Sequence, residues 1–420
     1  MSSHLYSAAD AGATSDVLFD PYDYDFHEDP YPVYARLRSD APVYYNPRDD
    51  LWVLSRHADV FDTLRNDEVF SNRMGVSLDA SAWSPDAHRV MSFLALDGAA
   101  QTRLRKLVSA AFTPRRVREL APRIQALTEH YLDGVLATSD GAGSSDWIAD
   151  LAGKLPMDVI SEMMGVPEAD RDEVRRLADL VVHREDGVRD VPEAGMVAAF
   201  ELISYYQAMV AQRRANPLED LTSALTVAEV EGDRLTDEEI IAFLFLMVVA
   251  GNETTTKLLG NALFHLSAHP DQQAALFAAD DPDEAVVPWV EETLRFDTSS
   301  QMIARYVASE VTLHGVTIPA ESKLLVLLGS ANRDESVFTE PARYDLARDK
   351  AELGKSLSFG SGRHFCLGAN LARLEARIVL AELVRRVERF EVHAERSVRV
   401  HSTSVRGFAS LPTTFIRRTA

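Results

Sequence analysis

The chain has 420 residues, 46% of them hydrophobic and 26% charged, which is enough apolar material for a large core. Its 65 acidic and 43 basic residues give a formal charge of −22, which sets it against nucleic acid and anionic membrane surfaces. A single cysteine excludes a disulfide framework and a multi-cysteine zinc site. The stretch from Met1 to Asp20 is polar and acidic and lacks the basic-then-apolar pattern of a secretory leader. The strongest apolar run, Ile240 to Gly251, is shorter than the roughly 18 residues of a membrane span. A soluble, cytoplasmic, monomeric protein with no nucleic-acid or membrane partner is the expectation. No repeat or composition break divides the chain. The stretch Asp140 to Asp146 reads as an interhelical loop, so one domain over 1–420 is expected, with 1–18 as a poorly ordered tail.

Two short strands, Val43–Tyr45 and Trp52–Leu54, flank the turn-rich Asn46-Pro-Arg-Asp-Asp50. A loop-like stretch from Ser71 to Ala95 follows. Leu104, Leu107, Val108, Ala111 and Phe112 then recur at helical spacing, and Thr113-Pro114 reads as the cap and first residue of the next helix. Helical patterns run on to about Arg295. The longest starts at a capping box, Thr236-Asp-Glu-Glu239, and ends near Pro270. β-Branched segments follow at Ile303–Val307, Val311–Leu313, Val316–Ile318 and Leu324–Leu327. A strong helix after Cys366 carries Leu367, Leu371, Leu374 and Ile378 on one face, and strands resume from Phe390. The fold class is mainly α with small antiparallel β-sheets.

Cys366 sits in Phe359-Gly-Ser-Gly-Arg-His-Phe-Cys-Leu-Gly368, immediately before that helix. A helix N-terminus stabilises a thiolate, and glycines let backbone pass close to a flat cofactor. A metal-bound thiolate, a nucleophilic cysteine, a phosphate loop and a buried structural cysteine all remain open on these residues alone. His364 is the one nearby base, and Phe365 stands where a dinucleotide fingerprint needs its third glycine.

The pattern Phe359-x-x-Gly362-x-His364-x-Cys366-x-Gly368 resembles the heme-binding signature of cytochromes P450 of the bacterial, soluble, ferredoxin-dependent class. The resemblance implies heme b between the long central helix and the cysteine-loop helix, with Cys366 as axial iron ligand and His364 at a propionate. Arg105, Arg305 and Gln101 match propionate positions. Ala250-Gly-Asn-Glu-Thr-Thr255, in the middle of the longest helix, is similar to the family's oxygen-activation motif. It implies that Thr254 hydrogen-bonds the oxygen ligand and Glu253 relays protons, while Ala250 and Gly251 leave room beside them. Glu292, Arg295 and Arg343 resemble the family's buried structural triad. Two departures stand out. Asp97-Gly-Ala-Ala-Gln101 replaces the usual histidine with Gln101, and Ser299 stands where a proline is usual.

The activity implied is a monooxygenase that hydroxylates or epoxidises a hydrophobic small molecule, with electrons from NAD(P)H through ferredoxin reductase and ferredoxin. By the same resemblance Met74, Val76, Leu78, Trp83, Phe93, Leu94, Leu246, Val249, Ile303, Ala304 and Phe408 line the substrate pocket, and Arg184 or Arg406 is a candidate carboxylate partner. Arg103, Arg105, Lys106, Arg115, Arg116, Arg118 and Arg123, against Glu119 alone, form a basic cluster in an acidic protein. It reads as a solvated face or as a dock for an acidic ferredoxin. The rival readings are a heme sensor or carrier, which needs no proton relay, and a non-heme cysteine enzyme.

Overall fold

The computed structural model describes residues 18–139, 144–185 and 188–418. The proposed N-terminal tail, apart from Leu18, and most of the Asp140–Asp146 loop lie outside these residues. The helices that build or brace the site are Gly98–Ala111 (α1), Leu155–Met164 (α2), Arg171–Val182 (α3), Glu193–Ala215 (α4), Asp237–Ser267 (α5), Pro282–Phe296 (α6) and Ala369–Arg386 (α7). The capping box of α5 forms as its sequence predicts. Thr236 accepts from the Glu239 amide at 3.2 Å, and Glu239 accepts from the Thr236 amide at 2.9 Å. Glu239 also receives Arg103 Nη1 at 2.6 Å, which ties α1 to the start of α5. Thr113 caps the helix opened by Pro114, also as expected.

Helix α5 runs through the centre of the fold and packs on α2, α4, α6 and α7. By length and composition it is long and apolar enough to cross a membrane. However, 56% of its apolar window is buried inside the protein. Its apolar character is accounted for by the core it occupies.

Val43–Asn46 (β1), Leu51–Leu54 (β2), Phe70–Ser71 (β3), Met302–Val307 (β4) and Lys323–Leu327 (β5) form a five-stranded sheet in the order β1-β2-β5-β4-β3. The sheet is mixed, since β5 lies antiparallel to β4 but parallel to β2. The long helical connection between β2 and β5 permits that parallel pairing. Val387–Val392 (β6) and Pro412–Arg417 (β7) pair antiparallel, and Ser145–Asp146 adds a short third strand to them. Alternation along β4 decides what it offers each side. Ile303 and Arg305 point into a central cavity, while Met302 and Ala304 join the core around Phe19, Tyr34 and Leu37.

The buried carboxylate of Glu292 on α6 is held by two arginines. Arg295 meets it with Nε and Nη2 at 2.8 and 2.7 Å, and Arg348 Nε reaches both oxygens at 3.0 and 3.2 Å. Arg343 is therefore not the third charge, as the sequence reading had it. Its side chain is exposed and turns to Glu340 at 3.4 Å, whereas its carbonyl accepts from Arg295 and Arg348 at 3.1 and 2.9 Å. From Arg295 the network runs on to the Asn332 carbonyl (3.0 Å). The Asn332 side chain then accepts from the Leu357 amide (2.7 Å) and donates to Ser358 (2.8 Å), one residue before the cysteine loop.

Removing one member of a buried charge network strands the others in a medium that cannot solvate them. Arg348→Met should lower the unfolding free energy by about 3–5 kcal/mol. Arg343→Ala should stay within about 0.5 kcal/mol of the parent. Urea unfolding of the two variants side by side checks the assignment. An equal loss in both would restore Arg343 to the network.

Candidate active site

A cavity of about 300 Å³ lies between α5 and the cysteine loop. Ala250, Gly251 and Thr254 form one wall, and Cys366, Gly368 and Leu371 form another. Arg105, Arg305 and His364 gather along one margin. Helical phase explains the α5 wall, since positions 247, 250, 251 and 254 share one face. Gly251 has a local reason to be glycine, because a Cβ there would sit 1.9 Å from Ile160 Cδ1 on α2.

The loop that presents Cys366 is shaped by a close backbone crossing. Gly362 has φ +68°, and a Cβ on it would lie 2.9 Å from the Leu64 carbonyl. The Cys366 amide donates to the Phe359 carbonyl at 2.9 Å and closes the loop. The Cys366 thiol lines the cavity and is exposed to it. Burial pushes the Cys366 thiol up, opposed by the Gly368 amide, the Arg105 guanidinium and the Ala369 amide.

Along the cavity margin several buried nitrogens have no hydrogen-bond partner among the described residues. Arg105 Nη2 reaches the Phe365 carbonyl at 2.5 Å, but its Nη1 is unpaired, and both ring nitrogens of His364 are unpaired. Burial, reinforced by the Arg305 charge, lowers His364 to about 3, so the ring is neutral and holds one N–H. Arg305 is buried, donates only to its neighbour Ala304 at 2.8 Å, and is pushed down to about 10 by desolvation. Donors left unpaired at the margin of a cavity that also holds a thiol match a ligand with anionic edge groups. The two propionates of heme fit that description.

Gln101 does not join this set, because its amide donates to the Arg363 carbonyl at 3.1 Å and braces the loop from outside the cavity. Phe359 and Gly368 line the cavity as expected.

On α5, the Thr254 hydroxyl donates back to the Ala250 carbonyl at 3.0 Å. Glu253 pairs with Lys257 one turn later, at 3.1 Å. Lys257 is buried and also donates to the Phe408 carbonyl at 3.2 Å, and its stem fills the space that a side chain on Gly407 would need. Asp179 on α3 lies near this pair and accepts weakly from Asn252 at 3.4 Å. Burial, then the charge of Glu253, raises Asp179 to about 6, while Arg175 and Lys257 pull the other way.

Sequence reasoning missed Lys257, Asp179 and Glu375. Glu375 on α7 is fully buried and lines the cavity beside Thr255, and burial pushes its carboxyl well above the ordinary value. The available signal was its position four residues after Leu371, on the apolar face of that helix.

Of the expected pocket residues, Val76, Phe93, Leu94, Leu246 and Ile303 line the cavity. The other six are absent from its lining. Leu78, Trp83 and Ala304 belong to the core behind the sheet, and Val249 is turned by helical phase into the main core. Phe408 packs on Phe264 and beneath Gly260, and Met74 sits in the loop that its carbonyl closes with the Ser84 amide. The two candidate carboxylate partners are already committed. Arg184 meets Asp79 at 2.8 and 3.1 Å, and Arg406 meets Asp297 at 2.8 Å.

The comparisons with known proteins agree with this geometry. The family model for cytochrome P450 matches residues 189–279 and 286–416. Cytochrome P450 123 of Mycobacterium tuberculosis is 55% identical over 399 residues, covering 94% of this chain and 96% of its own. The vitamin D(3) 25-hydroxylase of Pseudonocardia autotrophica is 38% identical over 402 residues, covering 94% and 96%. Among solved structures, CYP109Q5 from Chondromyces apiculatus superposes with a TM-score of 0.85 at 34% identity, over 96% of this chain and 99% of its own. CYP109E1 from Bacillus megaterium, in complex with testosterone, gives 0.79 at 30% identity over 92% and 99%.

The chain belongs to the cytochrome P450 family. It is a heme-dependent monooxygenase.

The Asp179 environment has a pH consequence. The folded carboxyl binds its proton more tightly than the unfolded one, whose ordinary value is 3.8. Its contribution to stability is therefore lost as pH rises from about 4 to about 6. Asp179→Asn should gain thermal stability relative to the parent across that window, read from melting temperatures at pH 4, 5, 6 and 7. A constant difference would remove the burial argument.

Proposed function

We propose that this enzyme inserts one oxygen atom into a neutral hydrophobic substrate bound in the cavity where Cys366 would ligate a heme. The observation that carries the reading is the single cavity shared by the Cys366 thiol, the Thr254 hydroxyl and an apolar wall of Val76, Phe93, Leu94, Leu246 and Ile303. When bound, heme supplies the oxidising chemistry: R–H, O2, two electrons and two protons become R–OH and water.

The protein's own groups do the rest. Cys366 offers its sulfur from a loop closed by the Phe359 carbonyl, and the Gly368 and Ala369 amides keep that sulfur from becoming too basic. Arg105, Arg305 and neutral His364 hold the propionates. Gly251 admits Ile160 beside α5, and the small Ala250 leaves the cavity face uncrowded where Thr254 would present a hydroxyl to a bound cofactor. Glu253 holds a proton path toward that hydroxyl, balanced by Lys257. Glu292 and its arginines brace the loop and touch nothing that reacts.

The apolar wall supports a hydrophobic substrate. A relative named for vitamin D(3) and a structural neighbour carrying testosterone favour the steroid-like end of that class. A cytoplasmic location fits the acidic surface and the buried α5.

Thr254→Ala tests the reading. With a ligand that shifts the ferric spin state, the variant should release hydrogen peroxide as the main fate of NAD(P)H, with product per NAD(P)H falling by about tenfold or more. Thr254→Ser should retain coupling. Unchanged partitioning in the alanine variant would remove the proton-delivery role.

Electrons reach this site through an acidic ferredoxin and its NAD(P)H-dependent reductase in the reading we favour. The docking patch is smaller than the sequence cluster. Arg103 is spent on Asp233 and Glu239, Arg105 turns inward, Arg115 pairs with Glu119, and Arg123 pairs with Glu162. Lys106, Arg116 and Arg118 remain exposed without an ion pair among the described residues. The double variant Lys106→Glu/Arg118→Glu should slow reduction by an acidic [2Fe–2S] ferredoxin by about tenfold at low salt, and high salt should erase the difference. A rate insensitive to salt in the parent would exclude electrostatic docking there.

A further inference from the structure

The loop between α6 and β4 reads Thr298-Ser299-Ser300, three hydroxyls in succession, and all three residues line a cavity whose substrate wall is otherwise apolar. The backbone of this loop is fixed from behind. Gln301 Nε2 donates to the Thr298 carbonyl at 2.8 Å, and the Arg406 amide donates to the Ser299 carbonyl at 2.8 Å. The Gln301 amide donates to the Ser404 carbonyl at 2.9 Å, and Ser300 bridges Val405. Gln301 in turn lies across Gly329, where any Cβ would strike its Oε1 at 2.1 Å. The three hydroxyls are thus carried on a rigid frame, which is what orientation of a bound molecule needs.

Their situations differ. The Ser299 hydroxyl is sealed in the wall without a partner, and Thr298 is almost wholly buried. Ser300 is half-buried, lines the cavity, and has no hydrogen bond to another described residue. A hydroxyl can both donate and accept, so it suits a ketone or an alcohol equally. A carboxylate would need a cation. Of the cationic side chains near the cavity, Arg105 and Arg305 stand on the Cys366 and His364 side, where the cofactor edge belongs, while Arg184 and Arg406 are held by Asp79 and Asp297. None of these four is left for a substrate anion among the described residues.

We propose that Ser300 determines specificity by hydrogen-bonding a neutral oxygen, a ketone or a hydroxyl, on an otherwise hydrophobic substrate, and that carboxylates are disfavoured at this site. The inference rests on the reading of the cavity as the substrate pocket. It accounts for the serine pair that interrupts an apolar lining, and it narrows the substrate class from hydrophobic molecules in general to neutral oxygenated ones.

The test is a spin-state titration of the ferric holoenzyme with three probes on one ring system: 5α-androstane, 5α-androstan-3-one and the 3-carboxylate of the same skeleton. The parent should bind the ketone roughly five- to tenfold more tightly than the hydrocarbon, the worth of about one net hydrogen bond. It should bind the carboxylate most weakly. Ser300→Ala should make ketone and hydrocarbon equal without weakening the hydrocarbon, and Ser300→Thr should keep the preference. Unaltered ferric spectra and melting temperatures in both variants exclude a folding defect. A ketone preference that survives Ser300→Ala, or parent affinities for ketone and hydrocarbon that are equal, overturns the role of Ser300 while leaving the pocket reading intact. Tight carboxylate binding overturns the exclusion of anions. No response to any of the three overturns the pocket reading and this inference together.

Discussion

The architecture depends on one buried carboxylate. Glu292 is fully enclosed, and Arg295 and Arg348 both meet its carboxylate with hydrogen bonds. Burying such a group is expensive, and the cost is offset only when every lone pair finds a donor. The same two arginines then use their remaining N–H groups on carbonyls at Asn332, Thr339, Glu340, Pro341 and Arg343. A meandering stretch with little secondary structure of its own is thereby held against α6. Because Asn332 hands this order on to Leu357 and Ser358, the position of the cysteine loop is set by electrostatics several residues upstream.

The active site has the complementary character. Its polar groups are fewer and incompletely paired, which is what a binding site looks like when its ligand completes it. His364 and Arg105 keep unpaired nitrogens at the margin nearest Cys366. Lys257 balances Glu253 in the middle of a largely buried helix. Burial pushes the Glu375 carboxyl well above its ordinary value. Three acids in this region therefore meet burial in two ways: Glu253 by an ion pair, and Glu375 and Asp179 by a raised affinity for the proton. The acids at this site are not interchangeable.

Much of this was legible in order along the chain. The capping box at Thr236, the Thr113-Pro114 start and the strands near residues 43, 52, 303, 311, 316 and 324 form where the local pattern puts them, because each depends on contacts within a few residues. The ten residues around Cys366 carry their own geometry too, through Gly362 and the 359–366 hydrogen bond. Pocket membership was less accessible. Val249 and Ala304 each sit one position from residues that line the cavity, and a one-position difference in phase turns a side chain from the cavity to the core.

The sequence by itself determined the class of protein, the thiol, the glycine-shaped loop around it and the α5 motif, because those features are local and their spacing is their chemistry. Only the tertiary structure decided which arginines are free and which are spent. Arg343 and Arg348 are both arginines in one loop, yet one guanidinium is buried on Glu292 and the other faces water. Arg103 and Lys106 share a helix, yet Arg103 is bound to acids 130 and 136 residues away. A charge reports its partner only after folding has brought distant backbone together, since the pairing depends on distances of a few ångströms that spacing along the chain does not encode.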